Sequence, residues 1–132
     1  MNRRTIGSLL LAIISLQTAA AQQFRLRTIR TDSKFSACSV FDINGDGKLD
    51  IYSGQWWYEA PSWRRHFVRG VQRIRGQYDG YSSLPMDVNG DGKLDVVAVN
   101  YRSRSLYWLE NPGRFPNRWT KHMIATPGAM ET

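Results

Sequence analysis

An all-β chain built from a repeated unit is the fold this sequence predicts, and three observations predict it. The segment Asp-Ile-Asn-Gly-Asp-Gly-Lys-Leu-Asp at Asp42–Asp50 returns as Asp-Val-Asn-Gly-Asp-Gly-Lys-Leu-Asp at Asp87–Asp95. Short runs rich in β-branched and aromatic residues follow each copy, at Leu49–Ser53 and Leu94–Asn100, and such side chains suit a pleated, half-buried surface. Gly, Pro, Asn and Asp punctuate the intervening chain, as short antiparallel strands require. Beyond the N-terminal leader no stretch carries a helical period.

That leader, residues 1–21, reads as a signal peptide. Arg3 and Arg4 give a positive start, Ile6–Leu16 an apolar stretch and Ala19–Ala21 a small-residue cleavage site. The apolar run is too short and too interrupted by Ser and Gln to span a bilayer. Export to the periplasm, the medium or the cell surface is the expectation. Strands are then expected at Phe24–Ile29 and Ser36–Phe41 before the first loop, and at Leu49–Ser53, Trp56–Glu59 and His66–Val68 after it. Around the second loop the corresponding runs are Tyr81–Met86, Leu94–Asn100, Ser105–Glu110 and His122–Ala125. Cys38 is the single cysteine, so no internal disulfide can form, and it is expected to pack inside its strand as a small apolar side chain.

The duplicated loop has the chemistry of a site for a hard cation. Such an ion needs several oxygens to converge, and a tight loop with oxygen side chains at alternate positions supplies them. Asp42, Asn44, Asp46 and Asp50 occupy these positions in the first copy, and Asp87, Asn89, Asp91 and Asp95 in the second. The carbonyls of Lys48 and Lys93 can add a backbone ligand, and Gly47 and Gly92 permit the sharp reversal between. Neither loop offers Cys or His, which excludes a transition-metal reading and leaves calcium, two ions per chain. Asn-Gly and Asp-Gly are also ordinary hairpin signals, but identical oxygen placement in two copies favours the metal. A helix–loop–helix site would want a bidentate Glu at the twelfth position, where Ser53 and Ala98 stand.

A strand, a calcium loop of this kind and a further strand, repeated along a chain, resembles the FG-GAP (VCBS) repeat, the blade unit of β-propellers like the head of integrin α-chains. The resemblance covers residues 24–126, within an expected propeller segment 22–132. It implies antiparallel four-stranded blades, with units at about residues 24–68 and 69–126 and the start of a third blade from His122 to Thr126. It also implies a non-enzymatic module that recognises an extracellular glycan or protein ligand. The competing expectation is a segment of a polysaccharide-active enzyme, since some propellers with similar loops resemble rhamnogalacturonan lyases. Propellers close with about four to eight blades, so remaining blades or self-association are expected partners.

Aligning the two copies extends the repeat and narrows the chemistry. Trp56-Trp57-Tyr58-Glu59-Ala60-Pro61 matches Tyr107-Trp108-Leu109-Glu110-Asn111-Pro112, and Trp63 to Val68 matches Trp119 to Ile124. Aromatic residues that recur in this way are expected to fill space between blades rather than stack on sugars. His66 and His122, like Glu59 and Glu110, sit at equivalent points of successive units, so neither pair is expected to form one catalytic centre, and the Glu-Ala-Pro and Glu-Asn-Pro segments read as turns. No catalytic residues are assigned. The unrepeated residues are those of Arg69–Arg75 and Tyr101–Arg104. Removing Arg3 and Arg4 with the leader lowers the formal charge from +7 to +5. Arg64, Arg65, Arg69, Arg73 and Arg75 form a basic cluster that reads first as a solvated loop with no partner and second as a patch for acidic polysaccharide or an anionic surface, while the export signal argues against nucleic acid.

Overall fold

The computed structural model describes residues 23–115 and 118–126, so the leader lies outside the described residues. Ten strands form three antiparallel sheets, with no helix among the described residues. The first sheet runs in chain order through β1 (Cys38–Phe41), β2 (Asp50–Ser53), β3 (Trp56–Glu59) and β4 (Arg64–Phe67). A small hairpin follows, β5 (Arg73–Ile74) and β6 (Gln77–Tyr78). The second four-stranded sheet repeats the sequential order with β7 (Ser82–Met86), β8 (Asp95–Asn100), β9 (Ser105–Glu110) and β10 (Thr120–Ala125). These are the propeller-like blades that the repeat implied.

Three expectations need correction, and one element is new. Phe24–Ile29 forms no strand: Phe24 and Leu26 are 88% and 94% exposed, and no neighbouring strand among the described residues pairs with their backbone. The strand at His122 pairs with β9, His122 facing Trp108, so it completes the second blade as β4 completes the first, rather than opening a third. Cys38 lies in β1 as expected but on its exposed face. The β5–β6 hairpin was not expected, because Arg75 is an unusual turn residue. Arg75 and Gly76 both hold positive φ, 50° and 82°, as a two-residue turn of the I′ type requires.

Alternation along the strands builds the core. In β9 the buried residues Ser105, Tyr107 and Leu109 alternate with half-buried neighbours, the period-two pattern of a sheet with one face packed. Phe41, Tyr52 and Trp57 of the first blade join Val96, Ala98, Tyr107, Leu109 and Trp119 of the second in one apolar cluster. Burial of each large side chain there contributes about 1.5–3 kcal/mol. The blades adjoin along their first strands, β1 and β7, where the Ser39 and Ser83 hydroxyls are 3.5 Å apart.

Each blade also carries the same polar stack at its outer side. His66 lies flat on Trp57 with centroids 4.2 Å apart, and His122 on Trp108 at 4.3 Å. Their Nε2 atoms meet Glu59 and Glu110 at 2.8 and 2.7 Å. Glu59 and Glu110 therefore end their strands holding a histidine, a role the turn reading missed. Phe115 of the second blade covers Trp57 at 4.9 Å, which is why Trp57 is buried while Trp108 is only half-buried.

Candidate metal centre and ligand face

Sequential antiparallel strands fix which connections share an end. The β1–β2 and β3–β4 connections of each blade lie at one end, and the β2–β3 turn and the inter-blade connection lie at the other. Both duplicated loops are β1–β2-type connections, so they sit together at the first end.

The two loops fold alike, each around its first aspartate. Asp42 Oδ1 accepts from the amides of Gly45 (2.8 Å) and Asp46 (3.1 Å), and Oδ2 from that of Gly47 (2.8 Å). Asp87 accepts in the same way from Gly90 (2.8 Å), Asp91 (3.1 Å) and Gly92 (3.0 Å). Asn44 and Asn89 accept from the amides of Asp46 and Asp91, each at 3.1 Å. Gly47 and Gly92 hold φ of 80° and 82°, the left-handed conformation that a Cβ disfavours. Asp46 takes the Lys48 amide at 2.9 Å and the Lys48 ammonium at 2.7 Å. Asp91 pairs with the Lys93 amide and ammonium in turn.

Asp50 and Asp95 behave differently from the other loop acids. Both are fully buried. Asp50 accepts from the amides of Ala60 (2.7 Å) and Ile43 (3.1 Å), and Asp95 from those of Asn111 (2.8 Å) and Val88 (3.0 Å). Each carboxylate thus ties its loop to the adjacent β3–β4-type turn. Burial pushes the Asp50 carboxyl above its ordinary pKa, with the charges of Asp46 and Asp42 adding to the effect against the two amide hydrogen bonds. Asn111, which sequence reasoning passed over as a turn residue, extends this lattice across the blades. Its Nδ2 donates to the carbonyls of Ile43 (2.8 Å) and Leu94 (3.1 Å), and its Oδ1 accepts from Gly113 (3.0 Å).

The acids and asparagines of both loops offer oxygen donors, the donor type that a hard cation takes. The Lys48 ammonium is held above its ordinary pKa by its hydrogen bond to Asp46 and by the charges of Asp46, Asp42 and Asp50. A positive charge at this loop is therefore favoured by three carboxylates at once. Among the described residues, no group of three or more His, Cys, Asp or Glu side chains is gathered into a cage, and the lysine holds the oxygen of Asp46 that faces it.

The opposite end brings together the unrepeated residues. The β5–β6 hairpin and the β8–β9 turn (residues 101–104) are joined by Asp79, which is buried and accepts from the amides of Arg102 and Ser103, each at 2.8 Å. Two adjoining clefts of about 540 and 250 Å³ share Tyr101 and Arg102. Lys34 and Arg73 line the larger and Arg75 and Arg104 the smaller. Tyr78, Tyr81 and Tyr101 add aromatic surface, the last two with rings 5.7 Å apart. The basic cluster expected at Arg64–Arg75 is split by the fold. Arg64 pairs with Glu59 at 2.9 Å, Arg65 lies 4.3 Å over Trp56, and Arg69 enters the gap between the blades.

Fold and loops together define a class: an all-β repeat chain whose four-stranded blades each carry an acidic, glycine-hinged loop between their first two strands. Residues 87–131 match the family model described as FG-GAP-like repeat. The second blade is similar to an FG-GAP-like repeat, and the first blade shares its loop geometry outside the matched segment. No curated protein and no solved structure matches the chain.

Proposed function

We propose that this chain is an exported, calcium-binding, non-enzymatic propeller segment that recognises an extracellular glycan or protein ligand. Asp42, Asn44, Asp46 and Asp50, with the Lys48 carbonyl, would hold one calcium ion; Asp87, Asn89, Asp91 and Asp95, with the Lys93 carbonyl, would hold the other. Calcium would supply charge neutralisation at one end of each blade, where Asp50 and Asp95 already link loop to turn. The ligand would meet the other end, and the observation that carries this is the convergence of Arg73, Arg75, Arg102 and Arg104 with Tyr78, Tyr81 and Tyr101. Guanidinium groups beside aromatic faces suit acidic or hydroxylated partners. Calcium would then act on ligand binding through blade rigidity rather than by direct contact.

The same cluster favours a second reading, a part of a polysaccharide-active enzyme, because these basic and tyrosyl groups are unrepeated and share one face. One experiment separates the two. The calcium-loaded chain is immobilised and challenged with a panel of acidic and neutral polysaccharides and with extracellular proteins, and the polysaccharides are then sized. Retention of a ligand that Arg73→Ala/Arg102→Ala abolishes, with chain lengths unchanged, supports the binding module. Shortened polysaccharide supports the enzyme, and undiminished retention by the double variant removes the end face as the site.

A further inference from the structure

A second basic cleft lies between the blades, away from the metal loops and bordering the end face through Ser103. It encloses about 570 Å³, within the range of small-ligand sites. Its charged lining consists of Arg69, Arg118 and Lys121, without a carboxylate among the described residues. Arg69 and Lys121 flank one ring: the Lys121 ammonium is 4.0 Å and the Arg69 guanidinium 5.2 Å from the centre of Tyr107. Each cation gains from the ring face, yet the two repel each other in a partly desolvated place, where charge–charge interactions are stronger than in water. Arg69 is not free to withdraw. Its Nε donates to the Tyr52 hydroxyl at 3.0 Å and the Gly54 carbonyl at 3.2 Å, and its Nη1 donates to the Tyr107 hydroxyl. Burial first, and the charge of Arg69 second, lower the pKa of Lys121.

The chemistry of the remaining walls indicates what would relieve this crowding. Gln72, Ser103 and Ser105 offer neutral hydrogen-bonding groups, while Trp119 and Met123 give an apolar side. A bare inorganic anion would satisfy the cations and leave most of the volume unused. We propose that this inter-blade cleft binds a sugar acid, a ligand of monosaccharide size with one carboxylate for the cations and several hydroxyls for the neutral groups. None of its cations lines the end-face clefts, so it neither needs nor excludes recognition there.

Ligand-observed saturation-transfer NMR on the full chain in calcium buffer tests the assignment, with D-glucuronate, glucose and sulfate as probes. Glucuronate should bind saturably and weaken as salt is raised, and glucose should not bind. Lys121→Gln should weaken glucuronate binding about tenfold, as expected for one charge-assisted hydrogen bond. Arg118 is exposed, so Arg118→Gln tests the cleft without disturbing the core, and it too should weaken binding. Arg73→Ala, on the end face, should leave it unchanged. The proposal is overturned if folded wild type shows no saturable binding, or if both cleft variants bind like wild type. Sulfate binding as tight as glucuronate would reduce the cleft to a simple oxyanion site and overturn the sugar-acid assignment.

Discussion

Replacing Asp95 by alanine should unfold much of the second blade even when no calcium is present. The carboxylate is fully buried and accepts from the Asn111 and Val88 amides at 2.8 and 3.0 Å. A hydrogen bond to a charged group contributes about 1.5–3 kcal/mol net, and a buried amide left without an acceptor adds its desolvation penalty. Allowing for incomplete additivity, the loss is about 3–5 kcal/mol. Total stabilities of domains are about 5–15 kcal/mol, so this is a large fraction. The assay is urea denaturation in EDTA, followed by tryptophan fluorescence, which takes metal ligation out of the comparison. Asp91→Ala is the control, because its side chain reaches only Asn89 and Lys93 of its own loop, and its midpoint should stay near that of wild type. Asp95→Asn should fall between, since one acceptor oxygen remains. Coincident midpoints for Asp95→Ala and Asp91→Ala would refute the structural linking role of Asp95.

Three further outcomes follow from particular contacts. Asn111→Ala should destabilise the chain by about 1–3 kcal/mol in thermal melts, since the Ile43 carbonyl loses its donor across the blades. Gly54→Ala should also lower the melting temperature, because Gly54 holds φ of 58° and an added Cβ would lie 2.1 Å from the Phe35 ring. Burial alone would raise the Asp79 pKa, but hydrogen bonds from Ser103 and Arg102 together outweigh it and hold the carboxyl below its ordinary value. Its contribution to stability is therefore present above the unfolded carboxyl pKa and lost as pH falls through the lower folded value. A pH series of melts should show acid destabilisation that is reduced in Asp79→Asn, and parallel curves would exclude the linkage.

The blades were legible because their signals are local and duplicated. The Asp-Asn-Asp spacing, the glycine hinges and the strand alternation of Ser105–Glu110 each depend on residues close in sequence. Asp50 and Asp95 were legible as loop acids, but their buried linking role was not, since their partners Ala60 and Asn111 arrive from another connection. Asn111 itself looks like a turn residue beside Pro112, although it stands where the first copy has Ala60, and that substitution between the copies was the available signal. The union of Arg73–Tyr78 with Tyr101–Arg104 depends on Asp79 bridging two connections, which no periodicity encodes. Phe24–Ile29 shows the converse, an alternating pattern without a partner strand among the described residues.

Calcium titration calorimetry on the full chain tests the central claim most directly. Two oxygen-only loops of matching geometry should bind two calcium ions per wild-type chain and one in either Asp46→Ala or Asp91→Ala. The double variant should bind none, and magnesium should compete poorly because it demands near-octahedral coordination and retains its waters. Equal calcium uptake by wild type and the double variant would contradict the account.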